Sequence, residues 1–228
     1  TEMEKYSKLA AMQPYLFPYI GYFQLIKAVD NFILLNDVGY FKKGWLHRNQ
    51  ILLNNKPFLF TIPIIKASQN RKINQHIIMN GWSKELHKTF KHAYGKAPFY
   101  EENKDIIKIC LNVCENRVLS DAAEIVLKEL CHILDLNVNF HLSSNLDTGD
   151  EIRQYRIIEL CKKFNAEAYI NPIGGKEIDM YYHEEFNPIK LRFIERLDNW
   201  GNYSIIHYLF TKGRQATKEI LNEYRLIK

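Results

Sequence analysis

The chain has 228 residues, 46% hydrophobic and 25% charged, with a formal charge of +5. That length and balance fit one folded α/β-sized unit and argue against a disordered chain or a dedicated nucleic-acid binder. Basic residues read as interleaved with acidic ones, no apolar run reaches membrane-span length and no signal peptide precedes the chain, so a cytoplasmic protein is expected.

In chain order, residues 8–13 around LAAM predict a short buried strand ended by Pro14. The segment YLFPYIGYF that follows Pro14 adds a second proline and a glycine and is irregular. Apolar spacing from Ile20 to Ala28 predicts a short helix, and FILLN at 32–36 predicts a second strand. Strand, helix and strand over about thirty residues have the size of a βαβ unit. NQILL and PFLFTIPII flank Asn54-Asn55, the pattern of a β-hairpin. Residues 73–78 predict another short strand.

Residues 83–95, 101–116 and 119–135 carry apolar side chains at helical spacing, with Ile106, Ile107, Cys110, Leu111 and Cys114 on one face of the second. Ser120 before DAAE reads as the cap of the third. Strands and helices then alternate again: a strand within 137–146, a helix over 150–164, a strand at 167–172, a short helix near 176–182 and a strand at 189–195. Residues 203–210 and 214–225 predict helices. The expectation is an α/β fold, a mostly parallel or mixed sheet flanked by helices, in one domain over 1–228, with a β-hairpin and a helical middle insertion near 83–135. That insertion reads equally as a lid or a dimer surface, and a homodimer stays open.

Cys110, Cys114, Cys131 and Cys161 sit in helical apolar stretches without CxxC spacing, and read as buried thiols of a reducing compartment. The eight histidines form no HxxxH or HxH pair, so no metal site is expected. Walker A, GxGxxG and GxSxG patterns are absent.

Chemistry-bearing residues are densest over 13–49. Prolines and rings stiffen the loop after the first strand, where ligands of open α/β sheets bind. Gln13 can hydrogen-bond a polar ligand edge, and Tyr15 or Tyr19 can stack on a ring. Asp37 falls at the carboxyl end of the second strand, as a general base would; Asp30 reads as structural. Lys42, Lys43 and Arg48 surround Trp45 and, with Asn49, suit a phosphate, a sugar nucleotide or a phosphopantetheine. His47 lies in the same region and titrates near neutrality. Weaker signals are Ser143-Ser144 with Arg153 and Arg156, as an anion site at a helix start, and Gly174-Gly175.

Several segments together resemble the WbqC-like protein family. They are MQPYLFPYIGYFQLIKAVDNFILLNDVGYFKKGWLHRNQI, TIPI at 61–64, YGKAPFY at 94–100, SSNL, RIIELCKKFNAEAYINPIGGK and YSIIHYLF. The resemblance implies a bacterial protein of O-antigen, or lipopolysaccharide, biosynthesis. It points to an N-acyltransferase-like enzyme acting on a nucleotide-linked amino sugar, with an acyl or aminoacyl donor such as acyl-carrier protein or a coenzyme A thioester. In that setting Gln13, Tyr15, Tyr19, Trp45 and Asn49 position substrate, Lys43 and Arg48 hold phosphate, and Asp37 or His47 takes the amine proton. The family tends to have Asp where this chain has His207. The alternatives are a nucleotidylyltransferase or ligase, whose usual HxGH signature is missing, and a non-catalytic sugar-nucleotide-binding factor.

Overall fold

In the computed structural model, residues 6–172 and 183–228 are described. The strands are β1 (Lys8–Met12), β2 (Asn31–Leu34), β3 (Arg48–Leu53), β4 (Lys56–Thr61), β5 (Asn139–Leu142), β6 (Ala168–Pro172), β7 (Lys190–Arg196) and β8 (Tyr224–Ile227). The helices are α1 (Ile20–Lys27), α2 (Ser83–Tyr94), α3 (Tyr100–Cys114), α4 (Leu119–Ile133), α5 (Arg153–Lys163), α6 (His183–Phe186) and α7 (Ile205–Ile220).

Six strands form one sheet in the order β5-β2-β1-β6-β7-β8. The first five run parallel, and β8 pairs antiparallel with β7. The expected α/β class, mostly parallel sheet and separate β-hairpin are all present. Alternation along β1 shows how the sheet is buried: Ala10 packs toward one face, Leu9 and Ala11 toward the other. The first face carries α1, α3, α4, α7 and the hairpin. The second carries Ile157, Ile158, Leu160 and Cys161 of α5, and Phe186 of α6. Both faces being covered explains why these strands read as apolar runs rather than as alternating patterns.

The chain leaves β1 into α1 on the first face, whereas the connection after β6 ends in α6 on the second. Neighbouring strands whose connections depart to opposite faces open a crevice at their carboxyl ends, where open α/β sheets bind ligands. Burial of Leu16 and Phe17 pins the loop beside that crevice.

Asn54 and Asn55 both take left-handed φ, 49° and 59°, as a two-residue hairpin turn requires. Three local expectations change. Residues 73–78 contain a 3-10 turn at Ile73–Gln75 rather than a strand. Its amides are taken by the loop after β2, Ile73 N–H by the Val38 carbonyl and Asn74 N–H by that of Asn36. Ser120 does not cap α4: it lies inside the first turn, fully buried, with Val118 at the cap position. Tertiary bonds place that start, from Leu119 N–H to the His76 carbonyl and from Ile78 N–H to that of Arg117. Finally, the helix expected through 225 stops at Ile220, and Tyr224–Ile227 becomes an edge strand because Tyr224 and Leu226 pack on the core. The break in α7 falls at Gly213, at φ +83°, where an added Cβ would meet the Phe99 ring at 2.6 Å. The helix expected near 176–182 and the Gly174-Gly175 turn lie outside the described residues.

Candidate functional site

The carboxyl ends of β2 and β5 are joined by a polar network. Asn36 is buried. Its amide nitrogen donates to Ser144 Oγ at 2.9 Å, and its side-chain oxygen accepts from the Ser144 N–H at 3.0 Å. Asp37 follows. Arg156 of α5 donates to both carboxylate oxygens, from Nη1 at 2.9 Å and from Nη2 at 2.6 Å, and Ser143 Oγ donates at 2.6 Å. Burial alone would raise the Asp37 pKa, but the bonds from Arg156 and Ser143 outweigh it and hold the carboxyl below its ordinary value. Asp37 is therefore an anion at neutral pH, with a guanidinium fixed beside it by a two-pronged contact.

This pair opens onto a cleft of about 300 Å3, lined also by Lys72 and the loop from Leu146 to Ile152. Arg156 Nε reaches Thr148 Oγ1 at 3.2 Å across it. Of the nine residues singled out in the sequence as catalytic or substrate-binding, Asp37 lines this cleft and the other eight do not. A larger hollow of about 520 Å3 lies beyond β7, lined by Asp198, Trp200, Glu219 and Glu223 among others. It contains none of the nine and no Lys or Arg, whereas the Asp37 cleft, itself lined by the carboxylates of Asp147, Asp150 and Glu151, also holds Lys72 and Arg156, so we take the Asp37 cleft as the candidate site.

The stiff loop after β1 is braced from several sides. Tyr22 donates its hydroxyl to the Gln13 carbonyl at 2.7 Å, and the Tyr15 ring stacks on Tyr22 with centroids 5.4 Å apart. Asn49 Nδ2 and Ser204 Oγ both donate to the Phe17 carbonyl, at 3.1 and 2.7 Å. Phe17 itself sits at φ 51°. Tyr19 forms a bridge to Ser204 and lies 5.8 Å from the Arg196 guanidinium. Its ring folds so close to Gly21 that an added Cβ would stand 2.4 Å from Tyr19 Cε2. Burial raises the hydroxyl pKa of both Tyr15 and Tyr19, so they stay neutral. Asn49 is buried, and its oxygen accepts the Gln50 N–H at 2.7 Å; here it ties the hairpin to the loop. Gln13 is half-buried at the carboxyl end of β1.

The segment joining β2 to β3 closes on itself. Leu16 N–H donates to the Leu46 carbonyl, which sets this segment against the β1 loop. Arg48 Nε donates to the Gly44 carbonyl at 2.9 Å, another arm donates to the Lys43 carbonyl, and the guanidinium covers the Trp45 ring at 5.4 Å. Lys43 and Trp45 are exposed. His47 is buried with both ring nitrogens engaged: Nδ1–H donates to the Ile62 carbonyl at 2.7 Å, and Nε2 accepts from the Tyr40 hydroxyl at 2.7 Å. A carbonyl can only accept, and that fixes the tautomer. Burial lowers the His47 pKa and keeps the ring neutral.

The sequence had left Arg156 and Ser143 in a separate, weaker group from Asp37, and Asn36 and Lys72 unmarked. Nothing local signals that 37 and 156 meet. The one available cue was that Asp37 and Ser143 each end a strand of a parallel sheet, which places both on the same edge. Among the described residues, no group of three or more His, Cys, Asp or Glu is arranged to hold a metal ion. No helix there is long and apolar enough to cross a membrane.

No solved structure matches the chain significantly. It is similar to an uncharacterized Mycobacterium tuberculosis protein, Rv1507c (strain ATCC 25618 / H37Rv), at 25% identity over 224 residues, covering 92% of this chain and 95% of the relative. The WbqC-like protein family matches residues 13–218, almost the whole of the structure just described, and the chain belongs to that family.

Proposed function

We propose that this protein is a transferase of surface-polysaccharide biosynthesis, moving an acyl or aminoacyl group onto the amine of a nucleotide-linked amino sugar. The observation that carries the reading is the cleft at the carboxyl ends of β2 and β5, where an ionised Asp37 is held by Arg156 beside Lys72. Lys72 offers positive charge to a diphosphate, and Asp147, Asp150 and Glu151 in the same lining attract the ammonium form of the acceptor amine. Asp37 accepts a hydrogen bond from the acceptor amine and takes its proton as the amide C–N bond forms and the donor's C–S or C–O bond breaks, the departing thiolate or alkoxide then receiving that proton. His47 is not the base in this mechanism, because neither nitrogen is free; it braces the turn that carries Lys43, Trp45 and Arg48. Gln13, Tyr15, Tyr19 and Asn49 do not line this cleft; they belong to the braced loop after β1. The donor is a thioester or an aminoacyl carrier, in keeping with the acyl-carrier components expected of the pathway.

A thermal-shift panel of UDP-, dTDP- and GDP-sugars, ATP and coenzyme A tests the ligand class, since bound ligand raises stability by mass action. The reading expects stabilisation by a sugar nucleotide, and amide product once an acyl or aminoacyl thioester is added. Stabilisation by the sugar nucleotide with no product from any donor would instead mark a binding factor.

One observation favours a second reading, nucleotidylyl transfer or ligation. β1 runs through a tight loop directly into α1 next to the switch between β1 and β6, with Gly21 packed under Tyr19 at the helix start. The histidines of an HxGH signature are absent, Tyr19-Ile20-Gly21-Tyr22 standing there. Consumption of ATP with release of pyrophosphate would select this reading over acyl transfer.

A further inference from the structure

The interleaving of acidic and basic residues expected of the whole chain fails over residues 38–84. This stretch has no Asp or Glu. It has Lys42, Lys43, Arg48 and Lys56 up to the hairpin turn, and Lys66, Arg71, Lys72 and Lys84 after it. The whole chain carries only +5, so the rest of it is net acidic. Lys72 faces the acidic loop of the Asp37 cleft, but none of these cations is held in an ion pair. Every ion pair among the described residues draws its cation from outside 38–84.

The same stretch displays apolar side chains to solvent. Phe41 is 57% exposed, Trp45 45%, Leu59 44%, Ile65 42%, Ile77 45% and Met79 44%. Contacts link neighbouring pieces of this stretch. Arg48 covers Trp45 and bonds the Lys43 carbonyl. In the hairpin, Arg48 and Leu59 belong to the outward face, since Arg48 pairs with Thr61 and Leu59 with Gln50, while Asn49, Ile51 and Phe60 point inward and are buried. Next to Phe41, Tyr40 N–H bonds the Arg71 carbonyl, and the Arg71 side chain bonds that of Lys66. Ile65 N–H bonds the Ile77 carbonyl.

We propose that this face docks on an anionic lipid bilayer, its lysines and arginines on the headgroups and its rings and aliphatic tips in the interface. Charge complementarity gives the sign of the partner. The apolar tips give its class: aliphatic Leu59, Ile65, Ile77 and Met79 have little to offer phosphates or bases, so nucleic acid leaves them uncovered. They are also dispersed between the cations, and none of them lines either hollow described above. A fluid interface accepts such a dispersed set, whereas a folded acidic partner needs one complementary concavity. The proposal goes beyond the transferase reading and stands without it. Docking by this face would seat the protein at the membrane surface without any spanning helix.

The test is co-sedimentation of the full chain with vesicles of phosphatidylcholine alone, or with about 30% phosphatidylglycerol, a surface negative enough to attract polybasic segments. The protein is expected to pellet with the anionic vesicles, at least about tenfold more weakly with the neutral ones, and less well at high salt. Lys42→Glu/Lys66→Glu should weaken the anionic binding at least about tenfold, and Phe41→Ser should weaken it without altering the salt dependence. Lys104→Glu on α3 should bind like the parent chain. All variants should keep the parent thermal midpoint, which separates lost docking from lost folding. Remaining in the supernatant with anionic vesicles overturns the proposal, as does equal binding to both vesicles or full binding by the double variant. Binding to a short RNA or an acidic carrier protein without vesicle binding overturns it in favour of a soluble partner. Lys42 and Lys66 have no part in the proposed transfer, so turnover of a soluble sugar nucleotide without vesicles reports on that reading separately.

Discussion

Asp37 and the stretch that follows it handle charge in opposite ways. Asp37 and Arg156 answer each other's charge within the chain, the carboxylate being bonded also by Ser143 and the guanidinium also by Thr148. From Val38 to Lys84 the only ionic charges are positive, and where a guanidinium does bond it goes to neutral carbonyls, as Arg48 and Arg71 do. A charge satisfied internally and half removed from water is placed by the fold and costs stability when disturbed. A solvated cation costs the fold little, and its energetic value lies with whatever it meets. The contrast separates residues that build a site from residues that offer a surface.

The largest expected effect lies on the Asp37 side. Asp37→Asn keeps shape and removes the proton acceptor, so it should lower turnover at least about 100-fold, about 2.7 kcal/mol of barrier, with the fold intact by circular dichroism. Full activity would remove Asp37 from the mechanism. Next is Arg156→Ala, which leaves a part-buried carboxylate without its partner and should cost about 2 kcal/mol in denaturant unfolding. Arg156→Lys should recover only part of that, because an ammonium cannot make the two-pronged contact.

Acid should separate the two regions by pH window. The pKa of His47 is lower in the folded chain than in the unfolded one, so its contribution is present above the ordinary histidine value near 6.5 and is lost as pH falls through the folded value. The Asp37 pKa is likewise lowered, so its contribution is present above the ordinary value near 3.9 and is lost only as pH falls further. Thermal midpoints measured from pH 8 to pH 3 should fall in both windows. His47→Gln should flatten the upper one and Asp37→Asn the lower one; a single window removed by either variant would merge what the structure separates. The smallest effect is expected for Lys42→Gln, within about 0.5 kcal/mol of the parent chain, since an exposed lysine without an ion pair contributes little to folding. A larger loss would show that this surface is structural after all.

Much of the architecture could be read locally. Apolar runs ended by Pro14 or flanked by Asp30 and Asp37 marked β1 and β2, Asn54-Asn55 marked the hairpin turn, and helical spacing marked α2, α3 and α4. These signals depend on neighbours in the chain, through excluded φ values and the periods of strand and helix. Where the reading changed, distant groups decided. The edge of the sheet recruited Tyr224–Ile227 away from a helix, and the carbonyls of His76, Val38 and Asn36 set the start of α4 and the 3-10 turn.

The candidate site divides along the same line. Composition and spacing alone were enough to mark 13–49 as rich in chemistry and Asp37 as the end of a strand. They also contained the one-sided charge of 38–84, which whole-chain totals concealed because acidic residues elsewhere offset it. Only the tertiary structure decided that Arg156, over a hundred residues away, grips Asp37, and that His47, chemically fit to be a base, has both nitrogens occupied. The reason is physical: a side chain's intrinsic chemistry belongs to its own atoms, but its ionisation and its free lone pairs depend on what the folded chain brings within about 3 Å of it.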